Sequence, residues 1–198
     1  MAAGSPGPVG PDRYLEALGG DDPVAAMAEA PDLLRRLVRG LTEKQLATKP
    51  APGKWSIKEI VAHLADNEVV LGSRYRFIAA MDRPPLPGFD QDAFVANLGV
   101  GKAATRDLLD DFAMARAVNV GLLERVGDAA WDRVGVHAER GEESLGRLVT
   151  MYAGHDRIHL SQVETIRTGL FPKAVRAAKR KAAAKKPAKK SSAKAKRR

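Results

Sequence analysis

One continuous stretch of this chain reads Ser144-Leu-Gly-Arg-Leu-Val-Thr-Met-Tyr-Ala-Gly-His-Asp-Arg-Ile-His-Leu-Ser-Gln-Val-Glu-Thr-Ile-Arg167, and its apolar residues recur at the helical period. If the stretch is helical, His155 and His159 lie one turn apart on the same face as these apolar residues. Both side chains then point into a core. Because two imidazoles one turn apart can bind one cation, the stretch predicts a long buried helix that carries part of a metal site.

A second amphipathic stretch supplies a third inward-facing histidine. It reads Trp55-Ser-Ile-Lys-Glu-Ile-Val-Ala-His-Leu-Ala-Asp-Asn-Glu-Val-Val-Leu71, and the helical period places His63 among its apolar residues. A buried imidazole needs a hydrogen-bond partner or a metal, since an unsatisfied polar group in a core costs a few kcal/mol. The pattern therefore predicts a shared metal site at His63, His155 and His159. Three separately satisfied core histidines are the alternative.

Three residues near the predicted ligands are candidates for supporting roles. Asn67 lies one turn after His63 and is a candidate for orienting a ligand or a bound water. Asp66 is a candidate for accepting a proton from an imidazole or a bound water, and Tyr152, one turn before His155, for lining a pocket. The corresponding alternatives are a buried amide bonded to the backbone, a solvated carboxylate and a packed core tyrosine.

The periodic segments predict four long helices, near residues 22–40, 56–81, 105–126 and 144–167. Ser56 followed by Glu59 predicts a capping box at the start of the second helix, and Thr105 is predicted to cap the third. Pro31 falls within the first helix, where a break or kink is expected. These elements predict an all-α fold, a four-helix bundle.

The two long joints of the predicted bundle are rich in Gly, Pro and polar residues. Residues 82–104 and 127–143 are expected to be irregular and without strands, and His137 is assigned to a loop. A joint as long as the first permits a crossover between helices that are not antiparallel.

Composition limits the other classes of protein and of site. The chain has 198 residues and no cysteine, so disulfides, thiolate metal ligands and cysteine nucleophiles are excluded. The N-terminus lacks the pattern of a signal peptide, and no stretch approaches the roughly 18 apolar residues of a membrane span. We therefore expect a soluble cytoplasmic protein without membrane contact, with a flexible segment at 1–20, one bundle at 21–171 and a tail at 172–198.

The basic charge of the chain is concentrated in the tail. Residues 173–198 contain 13 of the 33 Lys and Arg residues and none of the 24 Asp and Glu residues. The remainder therefore has 20 basic and 24 acidic residues, a net charge of −4, against +9 for the whole chain. A Lys/Ala-rich tail without core-forming residues is predicted to be disordered. It either binds nucleic acid phosphates without sequence preference or acts as a solubilising extension.

Three segments together resemble the DinB/YfiT-like metalloenzyme superfamily over roughly residues 23–170. They are Lys54-Trp-Ser-Ile-Lys-Glu-Ile-Val-Ala-His-Leu-Ala-Asp-Asn-Glu68, Pro87-Gly-Phe-Asp-Gln-Asp-Ala-Phe94 and the first sixteen residues of the stretch that begins at Ser144. The resemblance implies an up-down-down-up four-helix bundle with a divalent metal, zinc or nickel, on three histidines. By position these are His63, His155 and His159. It also implies a homodimer.

The resemblance implies an enzyme that acts on a small-molecule substrate. Three imidazoles leave an open coordination position, which can activate water or a thiol or polarise a carbonyl. A metal-dependent hydrolase is the first prediction, although the sequence does not select it over the alternative within the family. A metal-dependent S-transferase for thiols of the bacillithiol or mycothiol type is the alternative within the family. A third reading is non-enzymatic: a stress-associated bundle tethered to DNA by its basic tail.

Overall fold

The computed structural model describes residues 11–184, and most of them are helical. The helices are α1 (Pro11–Leu18), α2 (Pro23–Val38), α3 (Glu43–Leu46), α4 (Ile57–Ala80), α5 (Gln91–Asn97), α6 (Thr105–Arg125), α7 (Leu145–Leu170) and α8 (Pro172–Ala184). Three short strands are β1 (Pro85–Leu86), β2 (Val134–His137) and β3 (Gly141–Ser144). No helix within 11–184 combines the length and apolar character needed to cross a bilayer.

Helices α2, α4, α6 and α7 form the four-helix bundle that the sequence predicts. Helix α4 packs against α6 and α7, and α2 packs against the same two helices from the other side. The prediction of four long helices is confirmed, and α2 continues through Pro31, which is buried. The up-down-down-up order of the helices stays a prediction from the resemblance.

Local hydrogen bonds set where two of these helices begin. At α4 the predicted capping box is present: the Ser56 backbone N–H donates to Glu59 Oε2 at 2.7 Å, and Glu59 N–H donates to Ser56 Oγ at 3.3 Å. At α6 the predicted Thr105 cap is wrong. The N-cap residue is Ala104, and the Thr105 N–H and hydroxyl instead donate to the Glu43 carboxylate of α3 at 3.0 and 2.9 Å. A carboxylate from another helix therefore caps α6 and satisfies a helical N–H that has no partner within the helix.

A small sheet lies where the sequence predicts irregular joints. Strands β2 and β3 form an antiparallel hairpin in which Val134 pairs with Ser144, and β1 pairs with β2 in parallel through Leu86 and His137. Gly141 turns the hairpin with φ +75°, a backbone conformation that glycine adopts without strain. The expectation of no strands is wrong, because these strands are too short to show a period-2 pattern. The sheet places His137 in a strand rather than a loop.

The N-terminal segment contains an ordered helix in part of the range predicted to be flexible. Helix α1 packs across α7, and its Leu18 is buried with the core of the bundle. The two helices cross at Gly154, where an added Cβ would lie 1.7 Å from the Tyr14 carbonyl oxygen. Only glycine permits this approach, which brings the Tyr14 ring to 5.4 Å from the ring of His155.

The predicted tail also begins with an ordered helix. Helix α8 follows α7 after the single residue Phe171, and its Val175 is buried. Up to residue 184 the structure therefore describes a helix in the range of the tail, and the disorder of the tail stays a prediction. Residues 185–198 lie outside the described part of the chain.

Two apolar clusters fill the bundle, and a layer of buried polar residues separates them. One cluster includes Trp55, Ile57, Ile60, Phe112, Leu160 and Val163, and the other includes Leu71, Tyr75, Ile78, Val120, Leu145 and Leu148. Between them along their helices lie Glu68 of α4, Arg116 of α6 and Asp156 of α7, all buried. The polar layer is where the histidines of α7 are found.

Candidate metal centre

Three buried imidazoles converge at one point between α4 and α7. His155 Nε2 lies 3.2 Å from His63 Nε2 and 3.1 Å from His159 Nε2. All three side chains are buried, and their ligand atoms lie within 4.8 Å of one another. The helices bring together the three histidines that the sequence selects as ligands.

The spacing of the nitrogens fits a shared cation. Two nitrogens bound to one ion at about 2.0 to 2.1 Å lie about 3.3 Å apart in tetrahedral geometry and about 2.9 Å apart in octahedral geometry. The observed 3.1 and 3.2 Å fall between these values. Without an ion, a single N–H on His155 would not serve both neighbours, and lone pairs would face each other at short range. The donor set, three imidazole nitrogens, suits a divalent transition metal such as zinc, nickel, copper or iron.

Burial favours the neutral, metal-binding form of two of the imidazoles, those of His63 and His159. Desolvation, together with the neighbouring His155, lowers the pKa of His159 to about 3. Desolvation also lowers the pKa of His63 well below its usual value, and the positive charges that His159 and His155 would carry lower it further. Trp55 contributes to this dry environment, because its ring lies 4.9 Å from that of His63 and 6.3 Å from that of His159.

Gln162 fixes the orientation of one ligand. His159 Nδ1 lies 3.0 Å from Gln162 Oε1, so Nδ1–H donates to the amide oxygen and leaves the Nε2 lone pair directed at the other histidines. His155 has no equivalent support: its Nδ1 is buried without a hydrogen bond, and the Asp156 carboxylate approaches it at 3.9 Å.

Replacing Gln162 by alanine is expected to weaken metal binding. The loss of the hydrogen bond frees the His159 ring to rotate and change tautomer, which typically costs about 10- to 100-fold in affinity. Competition with a chromophoric chelator measures the change. Ser161→Ala, an exposed neighbour, is the control, and Gln162→Glu should retain tight binding because it keeps the acceptor. Equal affinities for Gln162→Ala and wild type would contradict the role.

A cavity of about 350 Å³ opens beside the histidines. Its wall is formed by Tyr14, His63, Asn67, Arg74, Gly88, Phe89, Gln91, His137, Glu139, Arg140, Met151, Tyr152 and His155. The residues come from α1, α4, α5, α7, β2 and the loops next to β1 and β2, so both segments that the sequence left unstructured contribute to it. A volume of this size suits a small molecule.

The structure separates the three proposed supporting residues. Asn67 is buried and lines the cavity, and Tyr152 also lines it, with its ring 5.6 Å from that of His155. Asp66 is absent from the cavity wall, and burial together with Asp111 of α6 raises its pKa. Asn67 and Tyr152 are therefore in position to contact a substrate, whereas Asp66 is not.

A buried ion-pair network lies next to the histidine cluster. Arg116 donates to Glu68 Oε1 and to the Met27 carbonyl oxygen, both at 2.7 Å, and forms an ion pair with Asp156 Oδ2 at 2.7 Å. Burial lowers the pKa of Arg116, but the charges of Asp156 and Glu68 outweigh this and raise it above its usual value. Arg116 thereby connects α2, α4, α6 and α7, and it fixes Asp156 next to the ligand His155.

Comparison with known proteins assigns the fold and site to a family. The sequence model of the DinB superfamily matches residues 26–163, about seven tenths of the chain and a span that includes all three histidines. The protein belongs to the DinB superfamily.

Relatives of this DinB protein bear consistent names. It is 31% identical over 147 residues to a protein of Geobacillus kaustophilus, a match covering 73% of this chain and 82% of the relative. It is 28% identical over 163 residues to one of Bacillus licheniformis, covering 79% and 86% respectively. Both relatives are named "Putative metal-dependent hydrolase". These comparisons give no support to the thiol S-transferase alternative.

A solved structure shares the fold of this DinB protein. It is that of YfiT from Bacillus subtilis, described as "a probable metal-dependent hydrolase with an unusual four-helix bundle topology". The two align with a TM-score of 0.69 and 19% identity, covering 81% of this chain and 87% of YfiT. The likeness establishes that the DinB chain forms a YfiT-like four-helix bundle.

Several residues of the DinB site are missing from the sequence-based set of candidates. They are Tyr14, Trp55, Arg74, Gln162 and the network around Arg116. Gln162 carries a usable signal, because a residue three positions after a helical histidine is its neighbour on the helix surface. The others reach the site from different elements, so no spacing along the sequence connects them to the histidines.

Proposed function

We propose that the protein is a metal-dependent hydrolase whose divalent ion, zinc or nickel, is held by His63, His155 and His159. The observation that carries the proposal is the convergence of three Nε2 atoms at 3.1 and 3.2 Å inside a dry core and beside a cavity. An ion bound there supplies Lewis acidity, which activates water toward a carbonyl or similar electrophilic centre. The names of the relatives support the same class of reaction.

The residues of the chain have distinct parts in this hydrolysis. Trp55 and the apolar core exclude bulk water from the histidine side of the cavity, and Gln162 holds His159 in its binding orientation. Asn67 and Tyr152 present hydrogen-bonding groups to the substrate from the wall. In the reaction itself, the oxygen of water bonds to the electrophilic carbon, the bond to the leaving group breaks, and a proton from water passes to the leaving group.

A metal add-back experiment tests the hydrolase. Metal-free protein is assayed with ester and amide substrates, then reloaded with zinc or with nickel, and His63→Ala is treated in parallel. We expect hydrolysis to appear in proportion to bound metal in the wild type and to stay at background in the variant. Hydrolysis that is equal before and after loading, or equal in both proteins, would overturn the proposal.

We further propose that the protein is a homodimer. The support is an exposed apolar face shared by α4 and α6, which carries Val69, Met114 and Val118 next to a surface groove. Single exposed apolar residues are ordinary, but a contiguous group on two adjacent helices is typical of an interface.

The basic tail is proposed to contact nucleic acid without sequence preference. Residues 173–198 contain 13 Lys and Arg residues and no acid, enough to bind phosphates through counterion release. Such contact would tether the enzyme to nucleic acid and is compatible with hydrolysis in the cavity. We also propose a cytoplasmic location, because a sequence without cysteine fits a reducing compartment.

A further inference from the structure

One charged group on the cavity wall lacks a counter-charge. Arg74 is only 2% exposed, and among residues 11–184 no carboxylate forms an ion pair with its guanidinium. Its hydrogen bonds go to neutral oxygens, from Nη2 to the Pro87 carbonyl at 2.5 Å and from Nη1 to Tyr152 Oη at 3.3 Å. Its Nε is buried without any partner.

Burying a charged group without a counter-charge lowers the stability of the fold, so its presence calls for an explanation. A guanidinium remains charged at any ordinary pH, and burying it without an opposite charge costs several kcal/mol. Arg116 shows the usual solution, with two buried carboxylates around one guanidinium. A second arginine of the cavity wall, Arg140, is likewise neutralised, since its Nε and Nη2 contact the Glu143 carboxylate at 2.7 and 2.8 Å. The charge of Arg74 is left for a ligand.

The position of Arg74 places this charge at a defined distance from the histidines. Arg74 follows His63 by eleven residues on α4, three helical turns along the same face, or about 16 Å between the two Cα atoms. Tyr152 bridges part of this interval, because its hydroxyl accepts from Arg74 while its ring lies next to that of His155. All of these residues line the same cavity.

A neutral histidine lies on the same wall. The Glu139 backbone N–H donates to His137 Nδ1 at 3.1 Å, so the ring proton of the neutral form resides on Nε2. Burial lowers the pKa of His137, and the positive charges of Arg140 and Arg74 lower it further. His137 therefore offers an N–H donor without adding charge.

We propose that the cavity contains an oxyanion subsite at Arg74, which binds a carboxylate or phosphate group carried by the substrate, with His137 as an accompanying donor. The guanidinium fork matches either anion through paired N–H groups, of which the Nε–H is already available. The substrate class is then a small anionic molecule whose hydrolysable bond lies toward the histidines. This assignment rests on the proposed hydrolase for its reaction, but the anion subsite itself does not require the metal.

Anion binding to the metal-free protein tests the subsite. Inorganic phosphate and acetate are titrated separately by calorimetry into wild type, Arg74→Gln and Arg76→Gln, with chloride used to match ionic strength. We expect saturable binding of at least one anion to wild type, weakened at least about tenfold in Arg74→Gln. Which anion binds decides between phosphate and carboxylate. Arg76, two residues along α4 and bonded to Asn119 and Gly72, is absent from the cavity wall, so Arg76→Gln should bind as wild type does.

Two results would overturn the subsite: no saturable binding of either anion to wild type, or equal affinity in Arg74→Gln. Circular dichroism checks that each variant is folded. If Arg74→Gln does not fold, Arg74→Lys decides, because it keeps the charge and the alkyl stem but loses the fork, and an affinity equal to wild type would refute the assignment.

Measuring the metal content of the same proteins distinguishes failure of the anion subsite from failure of the proposed hydrolase. Arg74→Gln should retain the metal that wild type binds. If wild type binds anions through Arg74 but no zinc or nickel, the hydrolase fails and the subsite stands. If wild type binds metal and hydrolyses esters but binds no anion, the subsite fails and the hydrolase stands.

Discussion

Replacing His155 by alanine is expected to abolish metal binding while the bundle remains folded. His155 Nε2 is the central atom of the cluster, within 3.2 Å of both other ligand nitrogens, so its loss leaves His63 and His159 without a common neighbour. The affinity for the metal should fall further than in Gln162→Ala, because loss of a hydrogen bond to a ligand typically costs only about 10- to 100-fold. Plasma mass spectrometry on untagged protein, purified without chelator, should find about one ion per wild-type chain and background levels in the variant.

The fourth histidine supplies a matched control for this experiment. His137→Ala removes the same side chain from the wall of the same cavity but leaves the three-histidine cluster intact. Its metal content should equal that of wild type. Equal occupancy in His155→Ala and wild type, or equal loss in both variants, would show that the cluster is not the binding site.

Arg116→Met is expected to destabilise the protein by about 3–5 kcal/mol. The substitution preserves most of the buried volume but leaves the Glu68 and Asp156 carboxylates without their cation, and it removes the hydrogen bond to the Met27 carbonyl. Urea denaturation of the metal-free protein measures the free energy of unfolding without the contribution of a bound ion.

An exposed arginine provides the control for the second prediction. Arg35 forms an ion pair with Asp110 at 2.6 Å, close to the distances in the buried network, but both side chains are about half exposed to solvent. Arg35→Met should therefore cost less than about 1 kcal/mol. The triple variant with Glu68→Gln, Asp156→Asn and Arg116→Met should recover part of the loss, since no buried charge then lacks a partner. A loss below about 1 kcal/mol for Arg116→Met alone would contradict the role of the network.

The helices were predictable where local rules dominate. Glu59 lies three residues after Ser56, and this spacing suffices to start α4, because a capping box uses only neighbouring residues. Helix α6 shows the limit of the rule, since the N–H of its first residue, Thr105, is satisfied by Glu43, far away in the sequence. The sheet was not predictable for the same reason: two residues of β1 become a strand only because β2, some fifty residues later, lies beside them.

Helices α1 and α8 show how packing outweighs composition. Gly- and Pro-rich sequence around α1 suggests flexibility, but the close crossing at Gly154 gives Leu18 a place in the core. The first turns of α8 are rich in Ala and basic residues, a composition that predicts disorder, but Val175 is buried. A single apolar side chain carries little signal in a sequence, whereas its contacts in the structure are unambiguous.

The sequence by itself determined the four long helices and the three histidines, because helical periodicity and the four-residue spacing of His155 and His159 are local properties of the chain. Only the tertiary structure decided that these imidazoles meet at 3.1 and 3.2 Å, that Arg116 connects four helices, and that Arg74 remains without a counter-charge on the same cavity. Distances between separate elements depend on how the helices pack, and a charge can be recognised as unpaired only once all of its neighbours are known.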